Sequence, residues 1–255
     1  RHVHNLVNEN PEKYFLCDQY ANDNNWLSHY HGTAEEILSQ IDGKFEHFVG
    51  GVGTGGSITG IGRRLKEVFP DIPIVLGGQH PSGAPREMFK TPAVDYVLVG
   101  ESDDTIIHFM EALNGERPMN SVRSFLYRRK DGSICNTMEN VEAAHEGDGW
   151  KYYSRKNSGV PQAVNELPKP AWHLFNMKGY WDKGVRNGGG DAVAERYAVM
   201  ASSRGCPHIC TFCTSPLSGG FRAYRKRDIE NVLDEVKWLV DTYNVKEIQF
   251  VDDNF

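Results

Sequence analysis

Cys206, Cys210 and Cys213 stand in the order C-x3-C-x2-C within S-R-G-C-P-H-I-C-T-F-C, Ser203 to Cys213. Cysteine thiolate is the usual protein ligand of iron–sulfur clusters, and three thiolates on one short loop can hold three irons of a [4Fe–4S] cube. The stretch offers the fourth iron no ligand, so that iron keeps a position open for a substrate or cosubstrate. Zinc is the competing reading. It needs a fourth ligand and commonly a second paired cluster, and His208 lies too close between the first two cysteines to complete a tetrahedron. Disulfides are not expected in a sequence without a secretory segment. Cys17 and Cys135 stand alone and read as packed or bland thiols.

A second stretch suits chemistry of another kind. The turn G-G-V-G-T-G-G-S, Gly50 to Ser57, follows a strand-like run, Phe45 to Val49. A helix pattern comes after it, with Ile58, Ile61, Leu65, Val68 and Phe69 on one face, closed by Pro70. Ile72 to Leu76 is then an apolar strand. Strand, glycine turn, helix, strand is a βαβ unit whose helix start is suited to an anion, although a tight turn without ligand has the same pattern.

The elements around these stretches follow from periodicity and punctuation. Residues 1–32 are polar and hold little periodicity. Thr33 with Glu36 reads as a capping box opening a helix, with Ile37, Leu38 and Ile41 as its apolar face. Val94 to Val99 is a strand, and Asp103 to Leu113 a helix ended by Asn114-Gly115. Asp131-Gly132 between Ser121–Arg128 and Ser133–Thr137 signals a hairpin. Residues 139–170 read as a connector, and Gly188 to Gly190 as a break. Ala198 to Ala201 is a strand running into the cysteine loop. Asp228 caps a helix with Ile229, Val232, Leu233, Val236, Leu239, Val240 and Tyr243 on one face, and Glu247 to Val251 is the next parallel strand. The run Arg222, Arg225, Lys226, Arg227 reads as a solvated face.

On these residues the sequence resembles two families. The cysteine loop, with Arg204-Gly205 before it and Phe212 inside it, is similar to the cluster loop of radical S-adenosylmethionine (SAM) enzymes. I-P-I-V-L-G-G-Q-H-P-S-G-A-P, V-D-Y-V-L-V-G-E-S and E-L-P-K-P-A-W-H-L-F resemble the cobalamin-binding subclass of that family. The resemblance implies a [4Fe–4S] cluster on Cys206, Cys210 and Cys213. It implies SAM chelated at the open iron with Phe212 against its adenine, and cobalamin approached by Gly77 and Gly78. His80 is a candidate corrin contact, and the strands and cobalt-ligand segment that precede this region in the family are not matched. Asp252 and Asp253 stand where barrel chemistry sits, or else in a solvated strand-end turn. The first part, from N-D-N-N-W-L-S-H-Y-H-G-T-A-E-E-I-L through V-G-T-G-G-S-I-T-G-I-G-R-R-L-K-E, resembles cystathionine β-synthase and cysteine synthase. In those pyridoxal phosphate (PLP) enzymes the matching residues, Gly53, Thr54, Gly55, Gly56 and Ser57, hold the cofactor phosphate. The family's Schiff-base lysine has no match here, so PLP chemistry is not expected even where an anion binds.

The expected fold is therefore α/β: a Rossmann-like, partial cobalamin-type domain followed by the start of a radical SAM (β/α) barrel. By resemblance the chain divides into 1–72, 72–138, a linker 139–195, and 196–255. The string Leu65 to Val75 reads equally well in either family; a natural fusion, an assembly error and a designed chimera all stay open. The chain starts without methionine and stops at Phe255 on a strand end, which reads as a fragment at both ends. At 255 residues, with 39% hydrophobic and 24% charged residues and a net charge of −6, it suits a globular protein with no electrostatic reason to bind nucleic acid. No membrane span is expected, and a reducing, cytoplasmic compartment is. The function implied is reductive SAM cleavage for radical methylation or cyclisation of an unread small-molecule substrate, fed by an electron donor such as flavodoxin or ferredoxin, with poor turnover in this short chain. The alternatives are a PLP-dependent β-replacement enzyme and an inert cluster- or metal-binding module.

Overall fold

The computed structural model describes residues 2–41, 45–138, 164–184, 193–208, 210–213 and 224–254. It is α/β and falls into two compact units. One comprises Arg1–Val99 with Phe125–Thr137, the other Gly100–Ser124 with Met138–Phe255. This grouping crosses the boundaries drawn from resemblance. Most of the expected connector, residues 139–163, and the break at Gly188 to Gly190 lie outside the described residues.

The first unit is built on a five-stranded sheet in sequence order: β1 (Phe48–Gly51), β2 (Ile74–Gly77), β3 (Tyr96–Leu98), β4 (Phe125–Arg128) and β5 (Ile134–Asn136). β1, β2 and β3 are parallel, in register Phe48↔Ile74 to Gly51↔Gly77 and Val75↔Tyr96. β4 and β5 form the expected hairpin, and Gly132 supplies its left-handed turn residue at φ +83°. Ile74, Val75 and Leu76 are buried in succession, as a parallel strand between two neighbours should be. β1 is the edge, and its Val49 is exposed.

Helices α1 (His2–Glu9) and α2 (Asn24–Ser28) form where weak periodicity predicted none. α2 runs through a single π-helical turn, His29–Thr33, into α3 (Ala34–Gln40). Thr33 therefore does not open a helix: its backbone is already helical, and its hydroxyl lies 3.0 Å from His29 Nδ1 rather than capping. Tertiary packing explains this segment. It lies against α4 (Gly56–Val68), where Gly60 has no room for a side chain: a Cβ there would stand 2.2 Å from the Trp26 carbonyl oxygen and 2.7 Å from the Tyr30 nitrogen. Arg63 lies over the Trp26 ring, and the Tyr30 hydroxyl donates to Glu67 at 2.5 Å. Short helix α5 (Gln79–Gly83) follows β2.

The second unit holds α6 (Asp103–Leu113), bounded as expected, with Gly115 left-handed at φ +78°. It also holds α7 (Met177–Lys183), β6 (Tyr197–Met200), the short antiparallel ribbon β7 (Ser203–Arg204) with β8 (Arg225–Lys226), α8 (Ile229–Tyr243) and β9 (Glu247–Phe250). β6 and β9 are parallel, in register Tyr197↔Glu247 to Met200↔Phe250, so β6, α8 and β9 make a second βαβ unit. No closed barrel is present among the described residues. Trp172, Ala198, Leu239 and Val245 form the core, flanked by Met177, Trp238, Tyr243 and Ile248. Asn244 ends α8 in the left-handed region at φ +54°, with Val245 N–H returning to the Leu239 carbonyl.

Two expectations for α8 need correction. Asp228 occupies the N-cap position without capping; its carboxylate accepts from Asn165 Nδ2 at 2.8 Å instead. The buried face is turned from the one periodicity suggested. Leu239 is buried but Ile229, Leu233 and Val240 are exposed, while Glu235 is buried because Arg227 reaches it at 2.6 Å.

Candidate functional site

The glycine turns of the first unit sit together at the C-terminal ends of β1 and β2. Val52 N–H donates to the Gly77 carbonyl at 3.0 Å, extending the ladder one residue past β1. Gly78 has φ +100°, and a Cβ on it would lie 3.5 Å from the Val52 nitrogen, so a glycine is needed on both counts. Gly55 is left-handed at φ +89° and leads into α4, and Gly56 packs against the Asn25 side chain where a Cβ would clash. The Thr54 hydroxyl accepts from Gln19 and Asn25, each at 3.3 Å, and Ser57 Oγ lies 3.1 Å from His29 Nε2. Gly53, Thr54, Gly55, Gly56 and Ser57 thus form one structured turn, with its hydroxyls already engaged by the α2 segment.

Beside the turn lies a cavity of about 200 Å³, lined by Val52, Thr54, Ile58, Leu76, His80 and Met88 among others. His80, exposed, borders it. No lysine lines it. Lys66, on α4, is 3.2 Å from Asp95 and donates to the Pro70 carbonyl, so its amine is held elsewhere. The turn leads into the N-terminus of α4, the kind of place where backbone N–H groups attract an anion, but the cavity lacks the amine that would anchor PLP covalently, and the residues present do not fit that cofactor's chemistry.

The cysteine loop belongs to the second unit. It leaves the C-terminal end of β6, the end at which parallel α/β sheets carry their sites. Gly205, left-handed at φ +79°, turns the chain into Cys206. Cys206 is half-buried, whereas Cys210 and Cys213 are exposed and joined by a turn with Cys213 N–H on the Cys210 carbonyl at 3.1 Å. Among the described residues no three His, Cys, Asp or Glu side chains are gathered closely enough to hold a metal ion. The donor set, three thiols on one loop, fits a [4Fe–4S] cluster in kind. Phe212 is 89% exposed.

What sequence reading missed is how the loop is held. The Asp252 carboxylate, just past β9, accepts from Ser202 N–H at 3.2 Å, from Ser202 Oγ at 3.0 Å and from Ser203 Oγ. Burial acts to raise the Asp252 carboxyl, but these hydrogen bonds outweigh it and hold the group below the ordinary aspartate range. Arg204 donates to both Asp103 carboxylate oxygens at 3.2 and 3.3 Å and lies 3.7 Å from Glu101, which also pairs with Arg225. The side chain of Arg225 is 9% exposed and that of Arg227 16%. The basic run is therefore not a solvated face at these two positions: each guanidinium is buried on a carboxylate. Arg222 lies outside the described residues. Two successive serines before the loop, and an aspartate pair after a strand, were the available signals.

Comparison with known proteins gives two sets of relatives. The family described as pyridoxal-phosphate dependent enzyme matches residues 1–135. Cysteine synthase of Aquifex aeolicus is 49% identical over 73 residues, covering 29% of this chain and 22% of that protein. Cytidylyl-2-hydroxyethylphosphonate methyltransferase of Streptomyces wedmorensis is 32% identical over 192 residues, covering 73% of this chain and 35% of that protein. Among solved structures, the radical S-adenosylmethionine methyltransferase TsrM from Kitasatospora setae shares the fold at a TM-score of 0.61 and 16% identity, over 87% of this chain and 39% of that one. The same enzyme solved with cobalamin and a [4Fe–4S] cluster bound gives a TM-score of 0.55 at 15% identity, over 86% of this chain and 39% of that one. This chain thus spans about a third of the length of its methyltransferase relative. No helix among the described residues is long and apolar enough to cross a membrane.

Proposed function

We propose, for a chain that belongs to the pyridoxal-phosphate dependent enzyme family through residues 1–135 and has cobalamin-dependent radical SAM methyltransferases among its homologues, that its working centre is the cysteine loop and its chemistry that of the second set of relatives. The observation that carries this is Cys206, Cys210 and Cys213 on one loop leaving the C-terminal end of a parallel strand. Cys206, Cys210 and Cys213 would hold three irons of a [4Fe–4S] cluster. When bound, such a cluster supplies the electron that splits SAM into methionine and a 5′-deoxyadenosyl radical, and cobalamin supplies a carrier for a methyl group. The chain's own contribution is positional. Gly205 turns Cys206 out of the ribbon; Asp252, Asp103 and Glu101 hold the residues before it. Phe212 offers an aromatic side chain next to Cys213, and Gly77 and Gly78, at the end of β2, would be the residues that cobalamin approaches. The substrate class and the choice between methylation and cyclisation belong to the whole relatives, of which this chain covers a third.

Anaerobic reconstitution tests the reading. The chain should bind about four irons and four sulfides, the complement of one cluster. Cys206→Ala, Cys210→Ala and Cys213→Ala should each remove most of it, while Cys17→Ala and Cys135→Ala should not. Dithionite-reduced protein should release 5′-deoxyadenosine from SAM slowly and without methylated product, and Cys213→Ala should abolish the release. Loading without cleavage would favour the inert module. The PLP reading is tested separately: borohydride reduction followed by mass analysis should find no pyridoxyl-lysine, and a stoichiometric adduct at Lys44 or Lys66 would restore it.

A further inference from the structure

We infer that Asp252 is a positioning residue that sets the place of Cys206 before any iron arrives; the inference rests on the cysteine-loop reading above. The geometry is specific to one end of the loop. A single carboxylate takes three hydrogen bonds from two successive residues, Ser202 and Ser203, and Ser203 is 4% exposed. The backbone of the same stretch is tied on its other side, with Arg227 N–H on the Ser202 carbonyl at 2.9 Å and Arg227 Nη1 on the Ala201 carbonyl at 2.8 Å. Val251 N–H donates to the Met200 carbonyl at 3.0 Å, so Asp252 is itself carried on the β6–β9 ladder. Arg204, the next residue, is anchored on Asp103. Only Gly205 then separates this fixed run from Cys206.

The consequence appears in the exposure of the three thiols. Cys206 is half-buried while Cys210 and Cys213 are exposed. Cys206 is thus the ligand whose position the fold has prepaid, whereas Cys210 and Cys213 lie exposed, without such a brace among the contacts described above. Ordering a group in advance lowers the cost of binding at the moment of binding. Asp252 does not touch the metal in this scheme. It acts through Ser202 and Ser203, and a neutral amide at the same place accepts fewer and weaker hydrogen bonds than a carboxylate.

The test uses the full chain and has a readout in the metal-free protein. Cysteine alkylation is followed residue by residue by mass spectrometry, and iron content is measured after anaerobic reconstitution. In Asp252→Asn, Cys206 should alkylate about tenfold faster, the effect of losing hydrogen bonds to a charged group. Cys210 and Cys213 should keep their rates, and buried Cys135 should stay protected, showing that the first unit is intact. Bound iron should fall several-fold. Should Asp252→Asn fail to fold, the double variant Ser202→Ala with Ser203→Ala removes the same hydroxyl donors and should give the same selective change. Unchanged Cys206 reactivity in that variant, or equal acceleration at all three thiols, overturns the inference. A wild-type chain that loads no iron would instead defeat the cluster reading, with the alkylation pattern still deciding the role of Asp252.

Discussion

Gly60 and Gly62 lie on the same helix, and their alanine variants should move stability in opposite directions. Both positions gain about 1 kcal/mol in intrinsic helix preference when glycine becomes alanine. At Gly62 the new methyl meets only Ile74 Cδ1 at 4.0 Å, an ordinary contact, so that gain should survive. At Gly60 it would meet the Trp26 carbonyl oxygen at 2.2 Å, the Tyr30 nitrogen at 2.7 Å and His29 Cβ at 2.8 Å. The first is about 1 Å inside the roughly 3.3 Å at which carbon meets oxygen, and two of the three atoms are backbone that cannot rotate away. Overpacking of this kind costs about 3 kcal/mol or more, leaving a net loss of about 2 kcal/mol against the propensity gain. Hydrogen exchange read by mass spectrometry on peptides covering 24–40 and 56–68 reports the opening of this helix pair directly. A loss of 2 kcal/mol speeds exchange about 30-fold, and a gain of 1 slows it about fivefold, since about 1.4 kcal/mol is a factor of ten. If Gly60→Ala protects these peptides as Gly62→Ala does, the π-turned segment does not pack on α4 in solution.

Two further outcomes follow from buried charge. Arg227→Met leaves Glu235 buried without its cation and should destabilise the second unit by about 3 kcal/mol or more, whereas pairing it with Glu235→Leu should recover most of the loss in a urea melt; a double variant as weak as the single one would refute the pairing. Asp252 titrates below the ordinary aspartate range when folded, so its brace is fully present above the unfolded value and is lost as pH falls through that range and then through the lower folded value. The difference in melting temperature between wild type and Asp252→Asn should therefore be constant near neutrality and shrink only in acid; a difference that already shrinks from neutral to mildly acidic pH would contradict this.

Much of the sheet was legible because parallel strands announce themselves by apolar runs and glycine ends. α6 and the β4–β5 hairpin were read correctly from Asn114-Gly115 and Asp131-Gly132, since left-handed turn residues are a strictly local signal. α3 was read as a helix, but α2 and the π-turn that runs into it were not, because they pack in a groove that Gly60 opens some thirty residues later. α8 misled for a related reason. Its periodicity was apolar, yet a buried glutamate with an arginine partner took the core side, and no pattern of hydrophobic residues encodes a salt bridge. At the cysteine loop, ligand type and spacing were plain in sequence, whereas the clamp on Ser202 to Arg204 joins residues about fifty and a hundred positions apart.

The parallel ladder between β1 and β2 bears on how sequences of different parentage can be spliced. The string Leu65 to Val75, readable in either family, spans the end of α4 and the first half of β2. A genetic crossover placed there puts β1 and most of α4 on one side and the rest of β2 on the other. One thing that then joins the halves is main-chain hydrogen bonding, from Phe48↔Ile74 to Gly51↔Gly77, which is indifferent to side-chain identity. The side chains that must agree across such a breakpoint include Val52 and Ile58, which line one cavity with Leu76 and Met88, and Lys66, which pairs with Asp95. For anyone building recombination libraries of α/β proteins, a breakpoint between a crossover helix and the strand it feeds keeps the main-chain ladder intact and leaves the compatibility problem to the side chains packed across it.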